Sequence, residues 1–169
     1  MLLADRVREC GFKVVLTGEG ADEIFAGYDI FKEAKIRRFW AHAPKSRWRG
    51  QLLSRLYGYV RNSPTSRSVL GHGFFAQGLE LPNDPFFAHR LRWATTSRVL
   101  RLLTPEFRAQ IDSQHAIARI TDLVPKPNST WHTLSQDQYV EAHTLLPGYL
   151  LHAQGDRVAM AASVADRPY

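Results

Sequence analysis

A chain of 169 residues that is 44% hydrophobic, 11% aromatic and 22% charged has the apolar content of a globular core and lacks the signature of a disordered protein. Its single cysteine, Cys10, excludes an internal disulfide and a CxxC zinc site, which favours a reducing, cytoplasmic setting. The net charge of +6 and pI near 9.8 call for nucleic acid to be weighed as a partner, while the early charges of MLLADRVRECGF and the lack of an apolar run of about 18 residues argue against a secretory signal or a membrane span.

In chain order, residues 1–10 read as the end of a helix. Leu2, Leu3, Val7 and Cys10 fall at helical spacing, and Gly11 is the residue that stops it. Phe12-Lys13-Val14-Val15-Leu16 is a short β-branched, apolar run of the kind found in buried parallel strands. The next segment, Thr17-Gly18-Glu19-Gly20-Ala21-Asp22-Glu23, is a glycine loop. It opens a helical pattern of Ile24, Phe25, Tyr28, Phe31 and Ala34. This rhythm predicts an α/β fold, a fragment of a doubly wound parallel-sheet nucleotide-binding domain that is mostly helical in the part present.

Between Lys32 and Arg67 ten Lys or Arg residues accompany a single acid, Glu33. They recur singly among Phe39, Trp40, Trp48, Leu52, Leu53, Leu56, Tyr57 and Tyr59, as on the wet faces of amphipathic helices whose arginine stems cover apolar surface. Attraction to polyphosphate or RNA is the alternative. Further on, Pro82-Asn83-Asp84-Pro85 and residues 124–129 read as loops that separate helices at 86–103 and 134–145. Pro147-Gly148 is expected to end one helix and let another begin at about Tyr149. The seven histidines are scattered, and His143 and His152 share no ligand spacing with a cysteine or a second histidine.

The glycine loop carries the chemistry. In open α/β sheets ligands bind at the carboxyl ends of the strands, where a helix N-terminus presents N–H groups to an anion. Glu19, Asp22 and Glu23 are nevertheless acidic and would repel a bare polyphosphate. A magnesium ion resolves the conflict, since it takes oxygen ligands from carboxylate and phosphate together. The plainer alternative is that all three acids favour the helix N-terminus, by about 0.3–1 kcal/mol each.

Residues 13–28, KVVLTGEGADEIFAGY, resemble the V-[ST]-G-E-G-[AS]-D-E-[LIV]-F-x-G-Y segment of glutamine-hydrolysing asparagine synthetases. Residues 149–161, YLLHAQGDRVAMA, are similar to that family's YLL…DRMxMA stretch. The resemblance implies part of the synthetase domain. That domain uses ATP and Mg2+ to adenylate the side-chain carboxylate of aspartate, which glutamine-derived ammonia from a glutaminase domain then attacks. Carried over by position, Thr17, Gly18 and Gly20 belong to the ATP-contacting loop, Glu19 to intermediate formation and ammonia attack, and Asp22 to magnesium. Asp156, Arg157 and Arg167 match the residues near aspartate or the phosphates. The alternative for Asp156 is an ion pair that fixes two helices; Met160 and Ala161 read as helix packing. A homodimer of the whole enzyme is compatible with the resemblance.

The departures matter too. Where the family reads S-V-E-G-R-[YF]-P-F-L-D, this chain has Ser163-Val164-Ala165-Asp166-Arg167-Pro168-Tyr169, so Ala165 stands at the glutamate position. The family's S-G-G-x-D-S pyrophosphate loop, its glutaminase nucleophile and its downstream lysine have no counterpart in these residues. Cys10, placed in a helix, is expected to be a buried, inert thiol. The expectation is therefore a synthetase-domain piece that is inactive alone. Alternatives are a β-lactam synthetase or lasso-peptide cyclase type relative with another acceptor, or a basic helical nucleic-acid-binding module.

Overall fold

The computed structural model describes residues 2–56, 73–111, 113–123, 130–162 and 165–168. The chain divides into two units, one built from Met1–Gly27 and Gln138–Tyr169 and the other from Tyr28–Asp137.

The first unit joins the two ends of the chain. Helix α1, Leu2–Glu9, is ended by Gly11 at φ +83°, a conformation that glycine adopts without a Cβ penalty. Strand β1 follows as Val14–Thr17. It pairs in parallel with β2, Ala165–Pro168, in the register Val14↔Ala165, Val15↔Asp166, Leu16↔Arg167 and Thr17↔Pro168. This parallel pair is the α/β element among the described residues. Helix α2, Ala21–Phe25, then starts at Gly20. The remainder of the unit is helical: the later part of α8, Thr133–Leu145, a π-helical segment, Leu146–Asp156, and α9, Arg157–Ala162. Helix α9 packs on α1, on the π-helical segment and on β2.

The second unit contains α3, Asp29–Ala41, a 3-10 turn, Arg49–Leu52, α4, Leu53–Leu56, and α5, Phe87–Ser97. A 3-10 turn at Arg98–Leu102 and helices α6, Pro105–Ala109, and α7, Ser113–Leu123, come next, then the first turn of α8. Trp40, Leu53, Leu79 and Phe87 form its apolar cluster. The Trp40 indole, whose N–H would be costly to bury alone, donates to the Pro44 carbonyl at 3.1 Å. Truncation of Trp40 or Phe87 to alanine would cost about 3–5 kcal/mol by the usual cavity reasoning.

Three arginines of the basic stretch, Arg37, Arg38 and Arg49, are engaged within the fold, while residues 57–67 of that stretch lie outside the described residues. Arg37, 1% exposed, donates to the carbonyls of Gln77 (2.6 Å), Phe75 (3.1 Å) and Phe87 (3.4 Å) and lies over the Phe87 ring. Burial pushes its guanidinium below the ordinary arginine value, and neighbouring Glu33 works against that. Glu33 in turn accepts two bonds from Arg92 at 2.9 and 3.1 Å. Arg38 makes a bidentate pair with Asp137 at 2.6 and 2.8 Å, and Arg49 covers Phe39. Arginines that cover and cross-link apolar helices match the amphipathic reading of this stretch better than a nucleic-acid face does.

Several expectations need correction. The pattern from Ile24 to Ala34 is broken at residues 26–28, where Ala26 enters the left-handed region at φ 57° and two helices result. The α-helix ends at Leu145, just before Pro147-Gly148, but no new α-helix begins at Tyr149, because the chain continues as the π-helical segment. A proline ring crowds the carbonyl four residues back, and the wider π turn relieves that crowding. Leu2 and Leu3 are exposed and α1 buries no residue. Cys10 is an exposed free thiol. Strand β1 is covered on one face only, with Val14 and Leu16 exposed. Met160 and Ala161 face outward while Ala159 and Ala162 pack inward. Residues 124–129 lie outside the described residues. No helix among those described is long and apolar enough to cross a membrane.

Candidate active site

The parallel pairing sets the geometry around the glycine loop. Because Thr17 is opposite Pro168 and Leu16 opposite Arg167, the glycine loop after β1 and the end of β2 leave the sheet at the same carboxyl edge. Segments 151 positions apart in sequence become adjacent, so that the backbone of Arg167 lies beside Leu16, just ahead of the loop that carries Thr17, Gly18, Glu19, Gly20 and Asp22. Asp156 and Arg157 lie at the junction of the π-helical segment and α9, both of which pack on β2.

The loop turns at Gly20, φ 97° and ψ −18°, which is buried and holds a left-handed conformation that a residue with a Cβ would strain. Ala21 N–H donates to Gly18 O at 3.2 Å and Ile24 N–H to Gly20 O at 3.1 Å. These two amides are therefore already spent inside the turn. At its far end α2 is tied to α8, where the Gln138 side-chain amide donates to Ile24 O. Helix α2 has five residues, so its dipole is short and attraction for an anion rests on the loop itself.

The three loop acids, alike in sequence, occupy different environments. Glu23 is buried at 1% exposure, Asp22 is exposed, and Glu19 is half-buried. The Oε2 of Glu19 is shielded from solvent and has no hydrogen-bond partner among the described residues. A carboxylate oxygen withdrawn from water is costly unless something satisfies it. Gly18 contrasts with its neighbours, since nothing lies within 4 Å of the place a Cβ would occupy and its φ is not left-handed. The space beside it is open to a ligand.

The carboxylates of this loop are of the kind that can hold a nucleotide-borne magnesium ion. Among the described residues no three His, Cys, Asp or Glu side chains gather into a cation cage. None is required, because Mg2+ at phosphate sites is commonly held by one or two carboxylates with the phosphates supplying the rest. The loop supplies two carboxylates three positions apart, an exposed Asp22 and a Glu19 with one oxygen unpartnered among the described residues. Asp156 and Arg157 are exposed and neither has an ion-pair partner among the described residues. The helix-fixing pair considered for Asp156 is thus not seen among them. Sequence reasoning left Gly27 out of the site, although it stands inside the F-x-G-Y part of the matched segment; its contact with Asp22 appears only in three dimensions.

The family model described as asparagine synthase matches residues 1–168. Amidase chyE of Penicillium rubens is 28% identical over 99% of the chain and 25% of its own length. A provisionally named glutamine-hydrolysing asparagine synthetase of Mycobacterium tuberculosis (strain H37Rv) is 29% identical over 90% of the chain and 21% of its own length. Amidase chry2 of Gibberella zeae is 25% identical over 99% of the chain and 25% of its own length. The chain therefore spans a quarter or less of the length of these curated relatives. No solved structure matches it significantly.

Proposed function

This chain belongs to the asparagine synthase family, and from that premise we propose that it forms one wall of the site where an ATP-dependent ligase activates the side-chain carboxylate of aspartate for amide formation. The observation that carries this is the β1–β2 register, with Thr17 opposite Pro168 and Leu16 opposite Arg167. It supports a doubly wound parallel sheet whose carboxyl edge receives ATP.

In this reading Thr17, Gly18 and Gly20 approach ATP, with Gly18 giving it room. Asp22 would help to hold Mg2+, which when bound would neutralise phosphate charge. Arg157 and Arg167 offer bidentate donors to carboxylate or phosphate, and Asp156 offers a carboxylate to the aspartate ammonium. An oxygen of the aspartate side chain attacks the α-phosphorus, the bond to the bridging oxygen breaks, and pyrophosphate leaves. Ammonia then attacks the acyl carbon and AMP is expelled. Glu19 stabilises the charge that develops on nitrogen and takes the proton.

The ammonia, glutaminase domain and homodimeric partner belong to a longer cytoplasmic protein in this reading. A polypeptide limited to these 169 residues is expected to release no pyrophosphate. The test is aspartate-dependent ATP–pyrophosphate exchange and amide formation by the longer protein. Glu19→Gln should lower amide formation by about 100-fold or more while the protein stays folded; unchanged turnover rejects the role of Glu19. The two relatives named as amidases favour a second reading, in which the acceptor is not aspartate. Exchange that requires a different carboxylic acid would decide for it.

A further inference from the structure

Resting on the reading of Asp22 as the magnesium ligand, we propose that Gly27 is a positioning residue, whose missing side chain is the seat on which the Asp22 carboxylate lies. The short α2 brings its two ends together. Ala26, left-handed at φ 57° and ψ 42°, and Gly27 both donate their N–H groups to the Asp22 carbonyl, Gly27 at 2.9 Å. The chain thereby folds back until Gly27 meets the Asp22 side chain. A Cβ built on Gly27 would overlap the Oδ1 of Asp22 and stand 3.0 Å from its Cγ and 3.3 Å from its Cα. Such distances cannot be kept, so either the carboxylate or the backbone has to move.

Gly27 itself is not left-handed. Backbone freedom therefore does not call for glycine at this position; space for the carboxylate does. One side of the Asp22 carboxylate rests on the glycine while the residue remains exposed to solvent, so an oxygen can be offered outward to a cation without first being freed from a pairing among the described residues. Fixing the side chain in this way removes rotamer freedom that cation binding would otherwise have to remove. Residues that orient metal ligands typically matter by 10–100-fold in metal affinity.

The test uses the longer protein that contains this chain. In calorimetric ATP titrations at graded Mg2+, Gly27→Ala should raise the Mg2+ concentration needed for half-maximal ATP binding by about tenfold or more, and leave magnesium-free ATP binding unchanged. A folded Gly27→Ala variant with wild-type Mg2+ dependence overturns the proposal. Stability supplies a second readout, useful where Gly27→Ala folds poorly. Because Asp22→Ala removes the Oδ1 and Cγ atoms that collide, the stability cost of Gly27→Ala should largely disappear in that background. An equal cost in both backgrounds also overturns it. Asp22→Asn, which keeps the shape of the side chain, separates the two claims. If Asp22→Asn loses Mg2+ dependence and Gly27→Ala keeps it, positioning alone fails. If Asp22→Asn keeps it, the metal reading fails and takes the proposal with it.

Discussion

Asp137→Ala removes one partner of a buried ion pair, and the structure sets the size of the effect. Asp137 is 1% exposed and accepts two short bonds from Arg38, whose side chain is 12% exposed. Without the carboxylate, the guanidinium keeps, among the described residues, the Pro82 carbonyl at 3.4 Å and the face of Phe87. Stripping one partner from a buried pair costs about 3–5 kcal/mol, and the residual exposure of Arg38 places this case near 3 kcal/mol. With a slope of about 2 kcal/mol/M the urea midpoint falls by roughly 1.5 M. Tryptophan fluorescence reports it, since Trp40 sits in the core of the same unit. The double variant Arg38→Met with Asp137→Leu buries no charge and should lose much less, within about 1–2 kcal/mol of wild type. Additive costs in this cycle would refute the claim that the pair acts as a unit.

Two further outcomes are expected. Ala26→Gly relieves a left-handed alanine and should raise stability by about 0.5–1 kcal/mol, the strain removed exceeding the entropy that glycine adds to the unfolded chain; a loss of stability, read from the thermal midpoint, would show that Ala26 is not strained. Because Arg37, Arg38 and Arg49 are occupied by carbonyls, Asp137 and Phe39, RNA affinity measured at low salt should be negligible; tight binding that falls steeply with added salt would restore the basic-module reading.

What could be read in the sequence was local. Gly11 and Gly20 punctuate the first strand by their own backbone preferences, so the loop and its place after a strand were legible. The rest depended on partners distant in sequence. Nothing in Ala165-Asp166-Arg167-Pro168 announces a strand; pairing with Val14–Thr17 makes it one. The break at Ala26 was hidden because alanine is the best helix former, and its left-handed backbone at φ 57° appears only in the structure. Likewise the ten basic residues between Lys32 and Arg67 look alike until Arg37 finds the Gln77 carbonyl and Arg38 finds Asp137. Leu2 and Leu3 mislead in the opposite direction, since helical spacing identifies an apolar face but not what covers it.

In the proposed function the loop of residues 17–23 receives magnesium-bearing ATP. The most direct measurement is the ATP affinity of the longer protein with and without Mg2+, for the wild type and for Asp22→Asn. Mg2+ is expected to strengthen binding in the wild type, and Asp22→Asn to lose that gain while its magnesium-free affinity stays the same. Equal magnesium-dependent affinity in the two proteins would contradict this reading.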